Sequence, residues 1–576
     1  MTPGVYVEEF DSGSVPMEGA STSTAGFIGL AQRGPTEGLP ELVTGFNDFR
    51  RIFGSYLSEN QFGSYRYLAY AVEHYFLNGG SRCFVMRVAP PDAKAASNVT
   101  EETAAKAALG ITAKNPGAWG NQVRVVVLPS SKAKTQIFEV TGEKKYRVKN
   151  TAGFNPGDVV AFTDAENNKQ YNRVLSAQDD LIELETALDG DVVDSNLLPE
   201  KVLTTCEFTL NVFYADEAET FEKLSLNIAA PNHVEKVLGK SNIVKVVDLT
   251  ATRDAAAEAL PPFQVISGKP EEEKKHEMEL SGGSDGSVSS LSAGDFMGVD
   301  NGPGKRTGIQ SFIDNEDVAI MAVPGVTDPN VQLALVAHCE NLKSRFAILD
   351  IPRDKTKVAD VLTHRNIFDS SYCAMYNPWL QVFDPLDKRN IYIPPSGSMA
   401  GIYARSDSTR NVGKAPANEV VRGCTGLEVQ YNNGEQDILN PRGVNLIRAF
   451  TGQGIRVWGA RTCSSNGLWK YVNVRRTFIF VEESIKRGTN WVVFEPNDEP
   501  LWSRVNRTID VFLTGVWRAG ILQGASPAEA FYVQIGRSTM TQDDIDNGRL
   551  ICQIGIAPLK PAEFVIFRIT QKTSEN

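Results

Sequence analysis

The sequence lacks the patterns that would place the chain in a membrane or send it through one. No run approaches the roughly 18 consecutive apolar residues that a membrane-spanning helix needs. The first residues also lack the basic segment and apolar stretch that mark a secretory signal. We therefore expect no membrane insertion and no export signal at the N-terminus.

Residues suited to metal or redox chemistry are few and scattered. The 576 residues include five histidines and seven cysteines, and no two cysteines form a C-x-x-C pair, so free thiols in a reducing cytosol fit better than disulfides or zinc sites. No G-x-S-x-G nucleophile elbow occurs. We predict no catalytic residues, no metal site and no cofactor, and hence a protein that is not an enzyme.

The charge is acidic overall but unevenly placed. A net charge of −12 argues against direct binding of nucleic acid. Residues 441–576 carry 17 Lys and Arg but 12 Asp and Glu, a net charge of +5, which leaves −17 for residues 1–440. A basic C-terminal part predicts an acidic partner there, and a chance imbalance on solvated faces is the alternative.

The spacing of apolar residues predicts a mixed α/β fold in several domains, because the chain is too long for one core. A βαβ unit is indicated by strands 318–323 and 346–350 with a helix at 329–343 between them. Two amphipathic helices are predicted near 474–485 and 505–521. The first carries our candidate contacts with an acidic partner: Arg475, Arg476, Lys486 and Arg487.

Four segments between these elements have their own composition. Residues 131–204 have short strands with turn signals between them and predict a small all-β insert. The Ala-, Lys- and Glu-rich residues 91–108 predict a helix, and the polar residues 265–300 predict a long loop. Residues 491–494 predict a strand that packs against the C-terminal helices.

Both ends of the chain contain a short strand candidate set apart from the rest by proline, glycine or polar residues. A lone strand cannot satisfy its own backbone N–H and C=O groups, so each must pair with something. We predict that these strands pair with other copies of the chain. The predicted strand residues are Val5, Tyr6, Val7 and Glu8, and Phe564, Val565, Ile566 and Phe567; the predicted hinges are Gly13, Ser14, Pro558 and Pro561.

Several segments in order resemble contractile tail sheath proteins, the sheaths of contractile phages, tailocins and extracellular contractile injection systems. They include the opening T-P-G-V-Y-V-E-E at residues 2–9, the stretch P-P-S-G-S-M-A-G-I-Y-A-R-S-D at 394–407, and the closing G-I-A-P-L-K-P-A-E-F at 555–564. The resemblance implies a structural subunit that polymerises around an inner tube and contracts to drive that tube through a target envelope.

The resemblance also implies a domain plan. An N-terminal arm (1–20) precedes an α/β core (21–130 and 205–440) of one or two subdomains, and the all-β insert (131–204) lies on the outside. An inner α+β assembly domain (441–557) is followed by a C-terminal arm (558–576). The arms of neighbouring subunits would add strands to a sheet in a third subunit's C-terminal domain.

The expected partners follow from the same resemblance. They are further copies of the chain in stacked hexameric rings or a six-start helix, an inner tube protein, and the baseplate and tail terminator or cap proteins. Assembly would take place in the bacterial cytoplasm, and the product would be part of a virion tail or an extracellular tail-like particle. Two alternatives remain open from the residues: a surface-binding, adhesin-like module that uses the insert, and an α/β hydrolase with an unrecognised site.

Overall fold

The structure, a computed structural model, describes residues 17–103, 106–193, 201–249 and 276–566. The chain divides into two units. The first comprises residues 1–31, 35–88 and 291–576, and the second comprises residues 32–34 and 89–290. We describe each unit by itself.

The strands of the described ranges are, in chain order, β1 Ala25–Leu30, β2 Glu41–Val43, β3 Cys83–Val88, β4 Ser97–Thr103, β5 Lys106–Ala113, β6 Arg124–Ser130, β7 Lys134–Thr135, β8 Ile137–Gly142, β9 Lys145–Val148, β10 Val159–Thr163, β11 Lys169–Gln178, β12 Leu181–Leu184, β13 Val202–Thr205, β14 Glu207–Tyr214, β15 Glu217–Leu224, β16 Val244–Asp248, β17 His276–Glu279, β18 Ile320–Ala322, β19 Phe346–Asp350, β20 Cys373–Asn377, β21 Leu380–Asp384, β22 Arg389–Ile393, β23 Gly426–Leu427, β24 Val444–Phe450, β25 Gly454–Val457, β26 Phe531–Ile535 and β27 Cys552–Ile556.

The α-helices are α1 Phe46–Phe53, α2 Glu59–Phe62, α3 Leu68–Leu77, α4 Val234–Leu238, α5 Ala293–Met297, α6 Pro329–Leu342, α7 Val358–Arg365, α8 Ser396–Thr409, α9 Asn433–Leu439, α10 Val472–Gly488, α11 Glu499–Arg518, α12 Pro527–Ala530 and α13 Gln542–Asp546.

The first unit is built on an eight-stranded sheet in the order β2-β3-β1-β18-β19-β20-β24-β25. Its six central strands run parallel, and the two outermost strands, β2 and β25, are antiparallel to their neighbours. Every residue of β1, β19 and β20 is buried, as expected for parallel strands covered on both faces. The predicted βαβ unit is confirmed as β18, α6 and β19, with Ile320 paired to Phe346.

Helices α3 and α8 pack closely in the core of this unit because two glycines of α8 face α3. A Cβ atom added at Gly397 would lie 2.4 Å from the carbonyl oxygen of Ala71, and one at Gly401 would lie 2.4 Å from that of Tyr75. Real Cβ atoms do not approach backbone so closely, since interiors are already close-packed. Glycine at both positions therefore sets the distance between the two helices.

The described part of the second unit contains three sheets. One has seven strands in the order β7-β13-β10-β11-β12-β9-β8, and the others are β15-β14-β6-β17 and β16-β5-β4. Strands β7 and β8 lie at opposite edges of the seven-stranded sheet, yet only Gln136 separates them in the chain. The sheet must therefore curl until its edges meet around a core that includes Phe162, Val174 and Leu184.

The mixed α/β, multidomain class predicted from the sequence is confirmed, and so are the all-β character of the described part of residues 131–204 and the two C-terminal helices. The predicted domain boundaries stay predictions.

Three local predictions were wrong. Residues 97–103 and 106–113 form the strands β4 and β5 and not a helix, because β5 pairs with β4 and β16 and places Leu109 and Ile111 in a core.

The other two errors concern a strand and a loop. Residues 490–492 form a 3-10 helix directly after α10, and no described strand is available there to pair with the predicted segment. The described part of the predicted loop contains β17, which pairs with β6, and the short helix α5. In short segments, pairing and packing with other parts of the fold decide the secondary structure more strongly than the local sequence does.

The close approach of α3 and α8 generates a test. We expect Gly401→Ala to lower the free energy of unfolding by about 1–3 kcal/mol, because the new methyl group meets backbone that cannot move aside. The matched control is Gly515→Ala inside α11, where nothing lies within 4 Å of an added Cβ. That change should stabilise by up to about 1 kcal/mol through helix propensity. Urea unfolding measures both, and equal shifts would refute the packing argument.

Candidate assembly site at the chain ends

The predicted assembly region is centred on helices α10 and α11 and the antiparallel pair β26–β27. Helix α11 begins at the N-cap Asp498, whose carboxylate accepts a hydrogen bond from the N–H of Leu501 at 3.0 Å. Side chains from both helices and from β26 share one apolar cluster, which includes Val481, Ile509 and Phe531. The region thus has a small core of its own.

The start of the described chain lies along α10. Met17 contacts Gly488 at the end of the helix, since a Cβ added to that glycine would lie 2.4 Å from Cγ of Met17. The N–H of Ala20 donates to Oγ of Ser484 at 2.9 Å. Residues 17–22 therefore run antiparallel to α10.

Arg476 provides a further contact between α10 and residues 17–22. Its guanidinium donates to the carbonyl of Thr22 at 2.8 Å and forms two bonds to the carboxylate of Asp407 on α8, at 3.0 and 2.5 Å. Both side chains of this ion pair are buried, with 3% and 6% of their surfaces exposed. A bidentate pair of this kind fixes position as well as charge, so it ties α10 and residues 17–22 to the core of the unit.

The chain is also held in place after β27. The N–H of Ala557 donates to the carbonyl of Ala530 at 2.8 Å, and Nδ2 of Asn473 donates to the carbonyl of Leu559 at 2.9 Å. Asn473 lies at the beginning of α10, and Met17 contacts its end. Gly488 lies fifteen positions after Asn473, which at a rise of 1.5 Å per residue is about 22 Å along the helix. One helix therefore contacts both the described start of the chain and the segment that follows β27.

Glu563 is the last anchored residue in the described chain. Its carboxylate accepts bonds from Arg461 at 2.7 and 2.6 Å, from Nδ2 of Asn440 at 2.7 Å and from the Tyr471 hydroxyl at 3.0 Å. Burial alone would raise the pKa of Glu563, but the hydrogen bonds and the Arg461 charge outweigh it and hold the pKa below its ordinary value. Sequence reasoning missed Glu563, although its place just before an apolar strand candidate was visible.

Beyond Glu563 the chain leaves the body of the unit. Phe564, Val565 and Ile566 are exposed by 72%, 68% and 81% and belong to no strand. Among the described strands, β26 and β27 pair only with each other, so neither outer edge of this sheet has a strand partner. Two local contacts lie at these edges: Nδ2 of Asn506 donates to the carbonyl of Val533 at 3.4 Å, and the N–H of Gln523 donates to the carbonyl of Ala557, just past β27, at 2.8 Å. A two-stranded sheet without strand partners and an apolar segment that belongs to no strand are the two components of strand addition.

The other predicted arm residues are only partly described. Pro558 and Pro561, the predicted C-terminal hinges, lie between the anchors at Ala557 and Glu563. The remaining ones lie outside the described residues: Val5, Tyr6, Val7, Glu8, Gly13, Ser14 and Phe567.

The four predicted basic contacts divide into two kinds. Arg475 and Arg476 are buried, and the guanidinium of Arg475 lies 3.5 Å from the ring centre of Trp469 and bonds Oγ of Ser371 at 3.0 Å. These contacts within the chain argue against a contact of either arginine with a partner, because partner binding would have to break them. The pattern of the sequence did not show that they face inward.

The other two basic residues lie toward solvent. The Lys486 side chain is 61% exposed. Arg487 is one-third exposed, donates to the carbonyl of Glu316 and lies 3.7 Å from carboxylate oxygens of Asp317 and Glu483. Of the four, Lys486 is the side chain most available to a partner.

Nothing in the described ranges has the geometry of a metal centre or a membrane span. No group of three or more His, Cys, Asp or Glu side chains converges there to hold a metal ion. No helix of the described residues is both long enough and apolar enough to cross a bilayer.

Two family models match consecutive stretches of the chain. Residues 303–463 match the phage tail sheath protein central domain, and residues 464–572 match the phage tail sheath C-terminal domain. A putative prophage major tail sheath protein of Pseudomonas aeruginosa (strain UCBPP-PA14) is 26% identical over 278 residues, which cover 46% of this chain and 69% of that protein.

Solved structures agree in fold. The contracted sheath complex of PVC, an extracellular contractile injection system, has a TM-score of 0.53 and 21% identity and covers 99% of this chain and 98% of its own. The contracted helical sheath of the anti-feeding prophage has a TM-score of 0.51 and 20% identity over 99% of each chain. This chain belongs to the contractile tail sheath family, a family of structural proteins, so the prediction that it is not an enzyme is confirmed.

The buried ion pair generates the test for this region. We expect Arg476→Met to lower the free energy of unfolding by about 3–5 kcal/mol, because it leaves the Asp407 carboxylate buried without a counter-charge. The double variant Arg476→Met with Asp407→Leu should lose much less than the single variant. Lys486→Met, on the same helix, should change stability by less than about 0.5 kcal/mol. Urea unfolding followed by tryptophan fluorescence measures all three, and equal losses would refute the argument.

Proposed function

We propose that this chain is the repeating structural subunit of a contractile tail sheath, which polymerises around an inner tube and shortens to drive the tube through a target envelope. The observation that carries the proposal is that the described start of the chain and the segment after β27 both contact α10, in the same unit as the sheet β26–β27, which has no strand partner at its outer edges. Family membership supports it. The adhesin-like and hydrolase alternatives find no support in the comparisons.

Strand addition is the bond that we propose between subunits. The arms 1–20 and 558–576 of neighbouring copies would add strands at the outer edges of β26 and β27 in a third copy. Each main-chain hydrogen bond contributes about 0.5–1.5 kcal/mol net, so a four-bond strand contributes only a few kcal/mol. Repetition around a closed ring turns these weak bonds into a stable mesh.

Contraction then needs two packings of one rigid subunit, with the arms as tethers. The subunits would form stacked hexameric rings or a six-start helix, with residues 441–557 toward the tube, 21–130 and 205–440 as the core, and 131–204 outside. Baseplate and terminator or cap proteins would close the ends. The particle would be a phage tail or an extracellular contractile particle, assembled in the bacterial cytoplasm.

Truncation tests the C-terminal arm. A chain that ends at Glu563 should fold but fail to form tubes, because it keeps its anchor and loses the donated strand. The matched control ends at Thr570, which removes six polar residues and keeps the apolar segment 564–569. Negative-stain microscopy should show tubes for the control alone. Tubes of normal length from the chain that ends at Glu563 would refute arm donation.

Charge reversal tests the contact with the tube. Lys486→Glu should weaken assembly on purified tube, and added salt should weaken the wild type in the same way, because exposed charges are screened over about 8–10 Å. Lys305→Glu, another exposed lysine, is the matched control. We leave Arg487 unchanged because it has contacts within the chain. If the two variants assemble equally well on the tube, Lys486 is not a tube contact.

A further inference from the structure

The anchor at Glu563 joins two parts of the chain that the family models separate. Glu563 lies in the segment matched by the C-terminal domain, and Arg461 lies in the segment matched by the central domain. Only 18% of the Glu563 side chain and 6% of the Arg461 side chain are exposed. Weak screening and two parallel bonds make such a pair stronger than a surface ion pair.

Arg461 is in turn fixed to the eight-stranded sheet. Its N–H donates to Oδ1 of Asn445 at 2.7 Å, and its carbonyl accepts from Nδ2 of the same side chain at 2.8 Å. Asn445 is fully buried on β24, and its Nδ2 also donates to the carbonyl of Met375 on β20 at 3.0 Å. Two side chains therefore connect the Glu563 carboxylate to two central strands.

We propose that Glu563 is the positioning residue that fixes where the C-terminal arm leaves the subunit. The hinge lies between Glu563 and Phe564, and residues 557–563, which include both prolines, move with the subunit body. Tension on a donated arm enters the eight-stranded sheet through Arg461. The inference rests on the proposed donation of the arm to a second copy of this chain.

The anchor at Glu563 sets the length of the tether, which is the stretch of chain between the subunit body and the donated strand. If the anchor opened, the next contact along the chain would be the one at Leu559, and residues 560–563 could extend and lengthen the tether by up to about 14 Å, at 3.3–3.6 Å per residue. Effective concentration falls as a linker grows beyond the span that it must bridge. A fixed departure point keeps the donated strand short and keeps each subunit in register with its neighbours.

Limited proteolysis of the unassembled full-length subunit tests the departure point directly. Proteinase K trims an unanchored C-terminus, and the intact mass of the product shows where trimming stops. The wild type should stop between residues 563 and 566. Glu563→Ala should be trimmed back toward Leu559, which Asn473 still holds. Arg461→Ala should give the same product, and the double variant should be no shorter.

The controls separate the anchor from a general loss of structure. Glu495→Ala removes the partner of Arg504 in a pair that is more than 40% exposed on both sides, and it should leave the product unchanged. If Glu563→Ala does not fold, Glu563→Gln replaces it, because an amide N–H₂ cannot accept from Arg461. Wild-type trimming past Glu563, or an unchanged product from the folded Glu563 variant, would overturn the inference.

Microscopy of assembled particles distinguishes this inference from the proposed function. Glu563→Ala should still form tubes, with at least a threefold higher fraction of broken ones, because its arm is intact but its tether is longer. If the chain that ends at Glu563 forms normal tubes, arm donation fails whatever the masses show. If that chain forms none and the folded Glu563 variant is trimmed like the wild type, only the anchor fails.

Discussion

The buried ion pair between Arg476 and Asp407 is the interaction on which the arrangement of the chain ends depends. Asp407 lies on α8, which packs against α3 through glycine contacts, while Arg476 lies on α10 and also binds the carbonyl of Thr22. Paired charges in a low-dielectric interior tolerate little displacement, since either charge alone would be costly. Helix α10 therefore has one position relative to the core of its unit.

A fixed α10 gives both chain ends a fixed origin. Residues 17–22 run along the helix, and the chain after β27 is held at its beginning and then by Glu563. The sheet β26–β27 meanwhile leaves its edges unpaired among the described strands. The subunit is thus a rigid body whose two arms start from fixed positions, and its β26–β27 sheet could accept the arms of other copies. Such a subunit suits a polymer in which the subunits rotate without separating.

The success of sequence reasoning varied with the range of the interaction involved. Local periodicity was sufficient for α10, α11 and the βαβ unit around α6, because the apolar pattern of a long element directly reflects the face that it buries. It failed at β4 and β5, where an Ala- and Lys-rich composition favours a helix but pairing with β16 decides the structure. The burial of Arg475 and Arg476 could not be predicted for a related reason, since a basic side chain carries no local signal of a buried partner.

The sequence by itself determined the class of protein: the absence of catalytic patterns, the apolar strand candidates at both ends and the ordered segments that resemble sheath proteins were all legible in it. The tertiary structure alone decided which charges are free and where the C-terminal arm departs. Glu563 and Arg461 are 102 residues apart in the chain, and Arg476 and Asp407 are 69 apart. Contacts over such separations arise only when the core packs, so no local pattern could reveal them.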